Sequence, residues 1–177
     1  MAKAKKKIST KKPPPKKANP DAALRKHLVE LLKGGEAHVG FSDALADFPA
    51  DNRVAAAQGL PHTAWQLLEH IRIAQGDILE FSRDPKHVSP EFPQGYWPKS
   101  TTAPDDDAWN QSVQAVQHDL RTMIELISSP RSDLYAPFSW GSGQTLLREA
   151  LLLADHNAYH VGQLIDLRRA LGIWHKS

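Results

Sequence analysis

Cysteine is absent from all 177 residues, which removes disulfides, thiolate metal sites and cysteine nucleophiles together and leaves nitrogen and oxygen as the ligands open to a metal. Long apolar runs are also missing. Stretches such as Leu151 to Ala154 fall far short of the roughly eighteen residues a membrane span needs, and the Lys-rich start lacks the apolar segment of a secretory signal peptide. A cytoplasmic protein with no membrane partner is the expectation. Acidic residues are absent from the first twenty positions, which instead hold eight Lys. The formal charge of +2 therefore hides a division, because the other 157 residues carry 14 basic and 20 acidic groups. The basic character is a tail and not a face.

That tail, residues 1–20, combines its Lys with Pro13, Pro14, Pro15 and Pro20 and has almost nothing apolar to offset the entropy of ordering it. Disorder is expected there, with a single domain over 21–177. Eight clustered cations suit phosphate contacts through counterion release, but no aromatic residue stands among them for base stacking. Nucleic acid is not the expected partner.

What remains reads as helix. Asp21 opens a run with Leu24, Leu28, Leu31 and Leu32 at helical spacing, stopped by Gly34-Gly35. Residues 36–60 read as an irregular connection with one or two turns lined by Phe41, Leu45 and Phe48. Thr63 and Gln66 form a capping-box signature ahead of Trp65, Leu68, Ile71, Ile78, Leu79 and Phe81, and Asp84-Pro85 closes that segment. Asp105, Asp106 and Asp107 precede Trp109, Val113, Val116, Leu120, Met123, Ile124 and Ile127, where the helix dipole favours negative charge. Thr145 caps a last segment, Leu146 to Ala170, that contains no Pro and only Gly162. With no period-two alternation between turn signals, the expectation is an all-α, four-helix bundle with long irregular connections. Two of these, Asp84 to Pro104 and Ser129 to Gly143, carry Phe92, Tyr96, Trp97, Tyr135, Phe138 and Trp140. Such loops either wall a binding pocket or pack over a bundle end.

Nine His is a high count, and His156 and His160 stand four residues apart on the last helix. A step of 400° puts both imidazoles on one face, as a shared metal ion requires. The Glu of a zincin helix is absent, since Asn157 follows His156. His70 sits on an apolar stretch of the second long segment. By helical rise, His70 lies roughly 10 Å from the start of its helix and His160 roughly 15 Å from the end of its own, so antiparallel packing brings all three to one level. Three imidazoles without a thiolate describe an open site for one divalent metal, with Zn or Ni foremost and Fe or Mn as alternatives. The alternative is a set of buried, hydrogen-bonded histidines shaping the core.

The fragments from Leu60 to Gln75 and from Ala154 to Leu164 resemble the DinB superfamily of bacterial four-helix-bundle metalloproteins. The resemblance covers residues 21–174 and maps His70, His156 and His160 onto the family's metal ligands, a His on the second helix and an HxxxH pair running into Gly-Gln-Leu on the fourth. It implies a metal-dependent enzyme of the thiol-transferase or hydrolase kind, with a non-catalytic metal- or small-ligand-binding protein of the same fold as the alternative. The partners it implies are a small-molecule substrate, a low-molecular-weight thiol among them, and a second copy of the chain in a homodimer. Asp77, two turns after His70, is the candidate to orient a ligand or act as a base, and Gln66, on the same side, is the second candidate to orient one. Tyr96, Trp97 or Trp140 is expected to wall the pocket leading to the metal. The first aromatic loop leaves its helix at the end farther from His70, which weighs against it.

Overall fold

The first helix opens two residues earlier than the sequence suggests. Asn19, and not Asp21, is its cap, the side chain accepting the Asp21 N–H, and Pro20 occupies the first helical position, where its missing donor costs nothing. The expected tail thus loses Asn19 and Pro20 to helix α1 (Pro20–Lys33). In this computed structural model residues 19–100 and 102–174 are described, so the expectation of disorder over the preceding positions lies outside them.

The irregular connection that follows contains a short helix, α2 (Phe41–Leu45), and a 3₁₀ turn at Ala50–Asn52. Helix α3 (Ala64–Arg83) starts with both halves of its capping box made: Thr63 Oγ1 accepts from Gln66 N–H and Gln66 Oε1 accepts from Thr63 N–H. Asp105 caps α4 (Asp106–Ser128) and Thr145 caps α5 (Leu146–Ala170), with Gly172 just beyond at φ 71°. A single isolated bridge, Pro137 with Thr145, is the nearest thing to a strand among the described residues, and the fold is all-α.

Helix α3 packs against both α4 and α5, and α1 packs against the same pair. Two cross-helix bonds fix a direction. Ser112 Oγ donates to Glu69 Oε1 at 2.6 Å, and Gln75 Nε2 donates to the Val116 carbonyl. Numbers rise together along α3 and α4, so these neighbours are parallel. The connection between them must therefore travel back the length of α3, about 30 Å at 1.5 Å per residue. Helix α5 runs the other way: Leu67, Ile71, Val161 and Leu164 share one apolar cluster, and Ile78, Leu79, Leu153 and Ala154 share a second. Antiparallel α3 and α5 bring His70 level with the His pair, as the helical distances predict.

Between these two clusters the core is polar. Gln75, fully buried, accepts from Asn157 Nδ2 at 2.8 Å while donating across to α4, and the three histidines lie beside this layer. At the lower end Arg25 donates to the carbonyls of Ile127, Ser129 and Ser132, satisfying the exit of α4. At the opposite end buried Arg168 donates to Ala44 and Ala46 and fixes α2 against α5.

Candidate metal centre

His70 projects from the second turn of α3, and His156 and His160 from successive turns of α5. One nitrogen from each lies within 4.8 Å of the others. The Nε2 atoms of His70 and His156 face each other at 3.1 Å, and the ring centroids of His160 stand 4.5 Å from both other rings.

Hydrogen bonds at the far side of two rings decide which nitrogen carries the proton. His70 Nδ1–H donates to the Tyr96 carbonyl at 2.8 Å, and since a carbonyl only accepts, Nε2 of the neutral ring is left bare. His160 Nδ1–H donates to Gln163 Oε1 at 2.7 Å, and Gln163 Nε2 reaches the Tyr159 hydroxyl at 3.2 Å. Nδ1 of His156 is buried without a partner. Burial holds all three rings below the ordinary imidazole pKa, with His160 lowered to about 4 by burial and then by neighbouring His156, against the opposing bond from Gln163. The three are neutral at pH 7, the form in which imidazole binds a metal.

These residues fit a divalent ion. Two of the rings have their outer nitrogens held by acceptors, the arrangement that orients metal-binding imidazoles. Bare Nε2 of His70 aimed at a second Nε2 at 3.1 Å needs either a proton or a cation between them. A cation there would be held by both Nε2 atoms, and Nδ1 of His156 has no hydrogen-bond partner among the described residues with either occupant.

The returning connection reaches the site although it starts at the far end of α3, because parallel α3 and α4 oblige it to double back. Trp97 lies flat on His70, centroids 4.1 Å apart and planes 8° from parallel, and His62 stacks on Trp97 at 4.1 Å. Tyr96 contributes its carbonyl to His70 and its hydroxyl to Asp77 Oδ2 at 2.6 Å, so it meets the site by its backbone. Its phenol is pushed up to about 12 by burial and by Asp77.

Trp140 is not brought there. Its Nε1 donates to the Phe81 carbonyl and its ring stacks on Phe138. Phe81 follows His70 by eleven residues, about 16 Å along the helix at 1.5 Å per residue, so the second aromatic loop packs over the distal end. Nor is Gln66 at the site, its side-chain oxygen being spent on the capping box. Asp77 is engaged by Tyr96 and by His87 Nε2 at 2.7 Å instead of by a candidate ligand. Gln163 takes the role looked for in those two. It sits in the Gly-Gln-Leu segment, three residues after His160, a spacing that places it within reach of that ring without by itself requiring the contact.

A sequence model of the DinB superfamily matches residues 14–164, a span containing all three histidines, Tyr96, Trp97 and Gln163. Among curated proteins and among solved structures, none matches the chain.

Proposed function

The chain belongs to the DinB superfamily, and from that premise we propose that its long helices form a four-helix bundle binding one divalent metal through His70, His156 and His160, as the site of a metal-dependent transferase or hydrolase acting on a small molecule. The observation that carries the reading is the convergence of three neutral imidazoles, two of them with Nδ1–H held by acceptors so that Nε2 is free. Three nitrogen donors without a thiolate favour Zn or Ni, with Fe or Mn as alternatives. A metal held by three protein ligands supplies Lewis acidity at its open position, where a water or thiol loses its proton near neutral pH. The chain's own residues orient and enclose: Tyr96 and Gln163 fix two rings, and Trp97 covers one face of His70. A low-molecular-weight thiol would be the co-substrate of the transferase and water that of the hydrolase.

One observation supports a non-catalytic metal- or ligand-binding protein as a second reading. Asp77, the carboxylate on α3 expected to act as base, has both oxygens committed to His87 and Tyr96, and Gln66 is committed to its capping box.

Elemental analysis of the purified chain, followed by a thiol-conjugation screen with and without chelator, separates the two. One equivalent of metal and chelator-sensitive conjugation are expected of the enzyme, and metal without turnover of the binding protein. His70→Ala and His160→Ala each should abolish stoichiometric metal while circular dichroism retains the helical content, because the apolar clusters supply most of the stability. Full metal occupancy in either variant would show the ligand assignment to be wrong.

A further inference from the structure

Both ends of the segment that crosses the α3 face converge on one carboxylate. His87, at its start, places Nε2 2.7 Å from Asp77 Oδ1, and Tyr96, near its end, donates its hydroxyl to Asp77 Oδ2 at 2.6 Å. Both carboxylate oxygens are thereby used. The same Tyr96 presents its carbonyl to His70 Nδ1–H, and the next residue, Trp97, lies on the His70 ring. Asp77 thus touches no member of the histidine group, yet it is tied through one residue to the atom that sets the tautomer and tilt of His70.

We propose that Asp77 is a positioning residue for the metal centre, acting as the anchor of a strap, residues 84–97, that holds His70 in its ligating orientation through the Tyr96 carbonyl and the Trp97 ring. The inference rests on the metal-binding reading above but concerns a residue outside the ligand set. Anchor and ligand stand on one rigid helix, two turns apart, so the distance between them is fixed by α3 and only the strap has freedom to lose. Clipping the strap at both ends removes that freedom before any ligand arrives, which is how preorganisation strengthens a site. Geometry, and not charge, is what the anchor contributes. An isosteric amide can accept the Tyr96 hydroxyl with its oxygen and donate to His87 with its nitrogen, so Asp77→Asn preserves the clip and Asp77→Ala destroys it.

The test uses the full chain with zinc alone as probe, in competition with a chromophoric chelator, and acrylamide quenching of tryptophan emission in the metal-free protein. Trp97→Phe identifies the share of quenching that belongs to Trp97. Asp77→Ala should weaken zinc binding by about tenfold or more, the range seen when an outer partner of a ligand is removed, and should expose Trp97 to quencher. Tyr96→Phe, which keeps the carbonyl and removes only the hydroxyl, should do both to a smaller extent and guards against a folding defect in Asp77→Ala. Asp77→Asn should restore affinity and quenching. Wild-type affinity in Asp77→Ala or Tyr96→Phe, with Trp97 still shielded, overturns the anchor while leaving the metal reading intact. Failure of the wild-type chain to take up zinc or any divalent metal overturns the metal reading and the ligating role of the strap with it. A loss in Asp77→Asn equal to that in Asp77→Ala shows that charge acts there, and also overturns the proposal.

Discussion

His160 illustrates how burial prepares an imidazole. Only 6% of the residue is exposed, and its pKa falls from 6.5 to about 4 chiefly because the charged form loses hydration. In the metal-free protein this makes stability depend on acidity in a defined window. Between about pH 6.5 and 4 the unfolded chain binds a proton that folded His160 refuses, so stability is complete above 6.5 and is lost progressively as pH falls through the window. Urea unfolding in the presence of chelator should therefore show a lower midpoint at pH 5 than at pH 7.5. His160→Gln should reduce the difference, and an unchanged difference would assign the acid sensitivity to other groups. The convergence of His70, His156 and His160 was legible in the sequence through helical spacing and level. Gln163 was not singled out there, since a polar residue one turn from a ligand looks the same whether it faces that ligand or solvent.

At the scale of elements, local signals placed the long helices well because their caps are written in the chain. Thr63 with Gln66, the Asp run at 105–107 and Thr145 each do what their chemistry suggests. Removing one has a measurable cost: Thr63→Ala should lower stability by about 1 kcal/mol, within the usual range for loss of a cap, as a shift of the urea midpoint at unchanged slope. Helix direction was harder. Parallel neighbours require a connection long enough to return the length of a helix, as the one between α3 and α4 does, although a long connection alone does not prove it. Measured along α3 alone, the connection carrying Tyr96 and Trp97 begins at the end of the helix farther from His70. Across the bundle the same segment has to pass it. The 129–143 connection joins antiparallel α4 and α5, has no such distance to cover, and stays at its own end with Trp140 bonded to Phe81.

For the whole molecule, stability and chemistry are divided between two apolar clusters and the polar layer between them. Leu153, with no exposed surface, belongs to the cluster shared by α1, α3, α4 and α5. Leu153→Ala should cost about 2–5 kcal/mol, the range for a buried leucine, whereas Leu151→Ala, on the exposed face of α5, should fall within about 0.5 kcal/mol of wild type. Denaturant titration of the two variants side by side gives the contrast, and equal losses would place α5 with a different face inward.

The Gln75 bridge works on the molecule as a vernier. Hydrophobic contacts are tolerant of sliding, and a helix displaced by one turn finds another leucine to touch. An amide that must meet both Asn157 and the Val116 carbonyl has no equivalent partner one turn away, and shifting it would strand polar groups in the driest part of the interior. Axial alignment of α3, α4 and α5 is thus set at their middle, five residues from His70 on one side and next to His156 on the other. The spacing of the histidines is then inherited from the core itself, and the loops other than the 84–97 strap, which touches His70 directly, are free to lengthen, shorten or change sequence without pulling the imidazoles apart.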